Sequence, residues 1–339
     1  MKLLAFSAAL AASISFGSAA AHAQAGGTLN KAVGGYSFEE AAKEIQGRSP
    51  WQLAWARLRQ DKVAIGSAVV ILLITLVAIG APLIAHLVGH GPGDTYPFLG
   101  EDSYGLPIGP NRTFLLGADD LGRDVLVRVV YGARVSLIAG VVASALAVLA
   151  GGIVGMLAGY FGTAVDTALS RFMDVILSFP LLLFAIALVS LVGPSLTVSI
   201  AVIAFFSWAV VGRIVRGQTL SLREKEFVEA ARSLGASDLR IIFVDILPNL
   251  VAPLIVYATL LIPASIVFEA TLSFLGLGVV PPTPTWGNML SDSLPYYKVA
   301  WWFMLFPGGA LLITTLAFNL LGDSVRDALD PRYARLFKA

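Results

Sequence analysis

Val63-Ala-Ile-Gly-Ser-Ala-Val-Val-Ile-Leu-Leu-Ile-Thr-Leu-Val-Ala-Ile-Gly80 contains no charged residue. About 20 apolar residues carry a helix across roughly 30 Å of hydrocarbon. Lipid offers the backbone no hydrogen-bond partner, so such a run must close its bonds internally as a helix. Comparable runs lie at roughly 63–88, 133–160, 172–193, 196–216, 249–272 and 301–321. The pattern predicts an all-α membrane protein with six transmembrane helices. Composition points the same way: 57% of the chain is hydrophobic and 13% charged, against roughly 25% charged in a soluble domain.

Gly193-Pro194-Ser195 alone separates the third and fourth runs, a turn signal that predicts a hairpin. Gly151, Gly152, Gly155, Gly159, Pro253 and Pro263 lie inside spans, where membrane helices tolerate them. With the segment before the first span inside, seventeen Lys and Arg residues fall on the inner side and five on the outer. Basic residues favour the cytoplasmic side, so both ends of the six-span unit are expected there. The loop after the fourth span is then cytoplasmic, and loops 89–132 and 273–300 external. Residues 48–132 hold the N-terminal cytoplasmic segment, first helix and external loop; 133–321 form a five-helix core, and 322–339 a cytoplasmic tail.

Several classes of chemistry are excluded. The chain has no Cys, hence no disulfide, thiol nucleophile or thiolate metal site. It has neither a zinc-protease nor an EF-hand pattern, and no GxxxxGK[ST] phosphate loop. His86 and His90 have no acidic companion at ligand spacing. No catalytic residue, metal or cofactor is therefore assigned. A net charge of +1 gives no basis for a nucleic-acid partner.

The loop after the fourth span is the most informative segment. It reads Glu224-Lys-Glu-Phe-Val-Glu-Ala-Ala-Arg-Ser-Leu-Gly-Ala-Ser-Asp-Leu-Arg-Ile-Ile-Phe-Val-Asp-Ile-Leu-Pro-Asn249. Phe227, Ala230, Ala231 and Leu234 form one apolar stripe at helical spacing. Gly235 stops that helix. Ser237 is placed to cap a second, with a stripe of Leu239, Ile242, Phe243 and Ile246, and Pro248 resets the chain before the fifth span. Periodicity alone is equally compatible with an interfacial helix pair lying on headgroups.

The residues go further than the periodicity. Glu229-Ala230-Ala231, then Gly235, then Leu247-Pro248 resembles the EAA motif of ABC importer permeases, EAA-x3-G-x9-I-x-LP. Asp245 stands at the aliphatic position, with Ile246 beside it. Segments on either side resemble the C-type permease subunits of dipeptide and oligopeptide (peptide/nickel) importers: Arg48-Ser-Pro-Trp51, Leu116 to Ser136, Leu272 to Gly278 with Trp286-Gly287, and Leu321 to Pro331. The likeness implies a coupling helix, with Glu229, Ala230, Ala231, Gly235, Leu247 and Pro248, that docks on an ATPase. It implies an inner-membrane subunit that pairs with a second, homologous permease. Two ABC ATPases would use the ATP, and an extracytoplasmic solute-binding protein would deliver peptide, or nickel or another solute. The chain itself would be no enzyme.

Met1-Lys2 followed by an Ala/Ser-rich run and Ala21-His22-Ala23 looks like a secretory signal. Cleavage there would contradict the charge bias, so 1–47 is expected to be an extension from a mis-set start or a fusion. Gln24 to Asn30 is similar to the mature start of a periplasmic peptide-binding protein.

Asp119, Asp120, Arg123 and Asp124 are candidates for docking the binding protein, unless they pair with one another to fold their loop. Glu269 is a pathway candidate, as an ionisable residue inside a span, unless it pairs with an Arg of 112–134. Asp174 is expected to pair with Arg171 or cap its helix. Tyr296, Tyr297, Trp301 and Trp302 are expected to form an interfacial aromatic belt. An ion-driven transporter would need inverted repeats and mid-span charges, and an intramembrane enzyme would need paired catalytic groups; neither pattern is present.

Overall fold

The computed structural model describes residues 50–330, so the expectations for 1–47 and for the end of the tail lie outside the described residues. The chain divides into two units at Leu53/Ala54, and the second carries every helix named here apart from the first residues of α1. In order the helices are α1 (Pro50–Leu58), α2 (Lys62–Ile79), α3 (Ala81–Val88), α4 (Pro97–Gly100), α5 (Val125–Phe161), α6 (Thr163–Ser178) and α7 (Leu181–Val192). They continue with α8 (Leu196–Arg223), α9 (Glu226–Ser233), α10 (Asp238–Phe274), α11 (Trp286–Ser293) and α12 (Trp301–Leu329). No strand occurs among the described residues.

Among the described residues five helices are long and apolar enough to cross a membrane: α2, α5, α8, α10 and α12. The third expected span is corrected by the structure to a bent helix pair, which makes six spans if it counts as one. Where one helix over 172–193 was expected, α6 and α7 meet at an angle of 82°. The break is at Phe179-Pro180, where Phe179 is extended at φ −80°, ψ 133°. A residue before proline is pushed out of the helical region by the ring, and the missing N–H removes a rung of the ladder. Gly193 at φ 94° and the Ser195 cap on Val198 N make the turn into α8. Phe184 of α7 stacks on Phe205 and meets Phe206 edge-on, which closes the expected hairpin.

Two further boundaries moved. α5 begins at Val125 because the Asp124 carboxylate caps Leu126 N and Val127 N, so its 37 residues run about 55 Å. The expected stop at Pro248 is absent: α10 runs unbroken for 37 residues from Asp238. A π-helical stretch at Ile241–Ile246 precedes the proline. The wider turn lets Leu247 N reach Ile242 O, and the Asn249 side chain takes the Asp245 carbonyl at 2.7 Å. Helix-breaking residues survive in a span when such local adjustments satisfy the freed backbone groups.

The core lies between α5 and α8. Gly151, Gly155 and Gly159 make one small-residue stripe along α5, and a Cβ added at them would lie only 2.6, 2.5 and 2.8 Å from the α8 carbonyls of Trp208, Gly212 and Arg216. Small residues permit this approach, which drives helix association in lipid. Ala147, Met173, Ile176, Val202, Phe206, Trp208 and Leu272 fill the adjoining interior.

Candidate functional site

Helix α9 is an amphipathic pair of faces anchored on one side. Val228 is fully buried among Met156, Tyr160, Val215, Ile241 and Ile246. The predicted stripe points the other way: Phe227 is 42% exposed, Leu234 is 87% exposed, and Ala230 is exposed, with only Ala231 half-buried. In the second stripe the structure buries Ile242 and Ile246 but exposes Leu239 and Phe243, and it adds Ile241. The π-helical turn causes this change, because it replaces the 3.6-residue period with a wider one.

Gly235 closes α9. At φ +80° it lies in the left-handed region, Ala236 N reaches Ala231 O, and Gly235 N reaches Arg232 O. This is a helix end closed by a residue that needs no Cβ. Ser237 makes no side-chain cap, contrary to expectation. Asp238 instead accepts a 2.7 Å hydrogen bond from Tyr160 Oη, and Arg232 lies over the Tyr160 ring. Arg223 donates to Gly159 O and Tyr160 O at the end of α5, where a cation meets the negative end of the helix dipole. Arg216 holds Asp166 of α6 through two hydrogen bonds, one of them 2.7 Å. Asp174 pairs with Arg213 at 2.7 Å, more closely than with the expected Arg171 at 3.9 Å. α9 therefore stands on a braced base. Leu247 is half-buried and Pro248 exposed where α10 enters the span, apart from the α9 face.

At the opposite end of α5, loop 89–124 is built around buried charge. Arg123 donates to Asp119 at 2.6 Å and to Asp120 at 3.1 Å. Arg128, 1% exposed, lies with Nε 3.1 Å from Asp119 and donates to Pro92 O. Asp292 of α11 reaches the same cluster through Arg123 at 3.8 Å. Asp124 caps α5 and contacts His90 Nδ1 at 2.8 Å, while His90 stacks on Phe114. The four docking candidates thus lie together, but their charges are turned inward; Asp119 and Asp124 are fully buried. Burial pushes the carboxyls of Asp120 and Asp292 above their ordinary range.

Trp302 leaves the expected aromatic belt. It is buried, donates to Ala118 O at 3.1 Å and packs over Gly117, whose φ is +85°. Trp301 and Tyr297 remain exposed. Glu269 is completely buried and meets no arginine: it accepts from Ser136 of α5 at 3.1 Å and Ser273 at 2.7 Å. The partners of Asp292, His90 and Tyr160 escaped the sequence reading because they lie tens of residues away; Tyr160 and Asp238 are 78 positions apart. Among the described residues no group of three His, Asp or Glu side chains could hold a metal ion.

Comparison with known proteins covers nearly all of this architecture. Residues 151–335 match the family of binding-protein-dependent transport system inner membrane components. Residues 49–99 match the N-terminal transmembrane domain of oligopeptide transport permease C. The dipeptide transport system permease protein DppC of Alkalihalophilus pseudofirmus is 44% identical over 84% of this chain and 90% of its own length. The oligopeptide transport system permease protein OppC of Escherichia coli K12 is 42% identical over 85% and 93%. The glutathione transport system permease protein GsiD of Pectobacterium atrosepticum is 39% identical over 84% and 92%. The chain belongs to the binding-protein-dependent transport system inner membrane component family: it is a multi-pass permease subunit of an ABC importer and no enzyme.

Proposed function

We propose that this permease forms half of a translocation pathway for peptides, beside a second, homologous permease. Two ABC ATPases would hydrolyse ATP, and an extracytoplasmic solute-binding protein would deliver the peptide. Relatives named for dipeptides, oligopeptides and glutathione support the cargo class; none of these three is named for nickel. The basic-residue bias supports cytoplasmic ends for the six-span unit.

The observation that carries the coupling role is α9, apolar on its outer face and anchored by Val228 on its inner face. A permease without a nucleotide site receives the energy of ATP only as movement of a partner. That contact must persist while the partner moves, because an equilibrium shifts only by the difference in interaction between its two states. Phe227 and Leu234 supply apolar surface, Ala230 permits close approach, and the exposed Glu229 offers a charge. Helix α10 starts beside this knob and runs about 55 Å to the level of Glu269 and Ser273. Displacement of α9 is thereby carried along one element to the far side of the membrane.

The test is ATPase retention in a pull-down, measured beside peptide uptake. Phe227→Asp, Glu229→Lys and Gly235→Val are expected to leave the permease in the membrane while reducing both. Normal retention and uptake in all three would refute the coupling role.

A further inference from the structure

Beside the first span is an apolar trough of about 270 Å³, walled by Trp55, Leu58, Val69, Leu72 and Leu321. Ala64 and Ala68 give it depth, since small side chains leave the wall unfilled. It follows α2 from Ala64 to Leu72, about 12 Å of helix. Val69 and Leu72 are 47% and 56% exposed on that wall, so the trough opens away from the packed core.

One cation stands at its end. The Arg59 guanidinium lies 4.8 Å over the Trp55 ring and forms no ion pair among the described residues. Its neighbours are occupied differently. Arg57 donates to the carbonyls of Ala328 and Asp330, where it closes the end of α12. Asp61, the nearest acid along the chain, accepts from Val63 N at 2.8 Å and is hydrogen-bonded to Ser324, which holds its carboxyl below the ordinary range. Lys62 is exposed at the start of α2 and adds a second positive charge. A guanidinium with no carboxylate partner among the described residues, above an apolar trough that follows a membrane span, is complementary to a molecule with an anionic head and a hydrocarbon tail. Guanidinium groups bind phosphate oxygens through paired N–H donors.

We propose that this trough binds an anionic glycerophospholipid of the cytoplasmic leaflet, with its phosphate on Arg59 and an acyl chain along Val69 and Leu72. The leaflet, though not the site, rests on the topology proposed above.

Trp55 reports occupancy directly. The intact transporter is reconstituted in phosphatidylcholine vesicles containing brominated phosphatidylglycerol or brominated phosphatidylcholine. The quenching assigned to Trp55 is the part that disappears in Trp55→Phe. Brominated phosphatidylglycerol is expected to quench it more strongly. Arg59→Gln should weaken that preference about fivefold, equivalent to roughly 1 kcal/mol for one basic residue at an anionic surface. Arg59→Lys should restore part of it, and Ala68→Phe, which fills the trough, should reduce quenching by both lipids. Equal quenching by the two lipids in the native protein overturns the proposal, as does a preference that survives Arg59→Gln. Quenching that appears only after deletion of residues 1–47, or only after removal of the partner permease, also overturns it, because protein then covers the trough. Sidedness is read separately: the chain has no cysteine, so Arg59→Cys offers its one thiol. Labelling of that thiol from outside refutes the topology and leaves the lipid result standing.

Discussion

Replacing Gly155 by alanine puts a methyl group where the structure has backbone. A Cβ built there lies 2.5 Å from Gly212 O, 2.8 Å from Val215 Cβ and 3.0 Å from Arg216 N. Ordinary contact begins near 3.4 Å, so α5 and α8 must part locally by nearly 1 Å. Neither a carbonyl nor an amide can rotate aside as the end of a flexible side chain could. Overpacking of this kind costs about 1–3 kcal/mol, and the better helix propensity of alanine returns up to about 1 kcal/mol. A net loss of about 1–2 kcal/mol lowers the folded-to-unfolded ratio roughly 5- to 30-fold. The assay is reversible unfolding in mixed micelles with increasing denaturing detergent. Gly152 provides the control three positions away. Its Cβ would meet only the Leu254 side chain, Cδ2 at 3.6 Å and Cδ1 at 3.9 Å, so Gly152→Ala should be neutral or slightly stabilising. If Gly155→Ala and Gly152→Ala prove equally stable, the close α5–α8 approach does not hold this fold together.

Three other outcomes are expected. For topology, single thiols at Leu234→Cys and Tyr104→Cys, both 87% exposed, should react with impermeant reagent from opposite faces; labelling from the same face would defeat the six-span arrangement. Asp119→Asn deprives Arg123 and Arg128 of their shared buried carboxylate, at a cost of about 3–5 kcal/mol. Limited proteolysis should then cut within 89–124 while membrane insertion persists, and an unchanged cleavage rate would show the cluster to be dispensable. The carboxyls of Asp120 and Asp292 are raised mainly by burial, so folding favours their neutral forms. Their contribution is full below the ordinary carboxylate range and is lost as pH rises through the raised values. Amide protection in this loop, taken as exchange relative to the intrinsic rate at each pH, should therefore fall as pH rises above the ordinary carboxylate range, and Asp120→Asn should flatten that fall. An identical pH profile in the variant would exclude the titration.

What the linear chain determined was composition-driven. Uncharged runs of membrane length dictate helices because lipid leaves no alternative for the backbone. The Glu229-Ala230-Ala231 and Gly235 pattern was legible because a short helix and its left-handed end are local events, settled within a few residues. The structure decided everything that depends on residues far apart. The 82° bend at Pro180 was overlooked because hydrophobicity summed over a window does not register where one N–H is missing. The continuous α10 was overlooked because a π-helical turn absorbs Pro248. Periodicity showed an apolar stripe on α9 but not which face is anchored: Val228 goes inward only because Ile241 and Ile246 return beneath it. Glu269 was expected either to line the pathway or to pair with an arginine of 112–134; no arginine meets it, and two serines, one of them on α5, hold it. Charge pairing and burial are set by the packing of distant helices, and no spacing along the chain encodes which side chains that packing brings together.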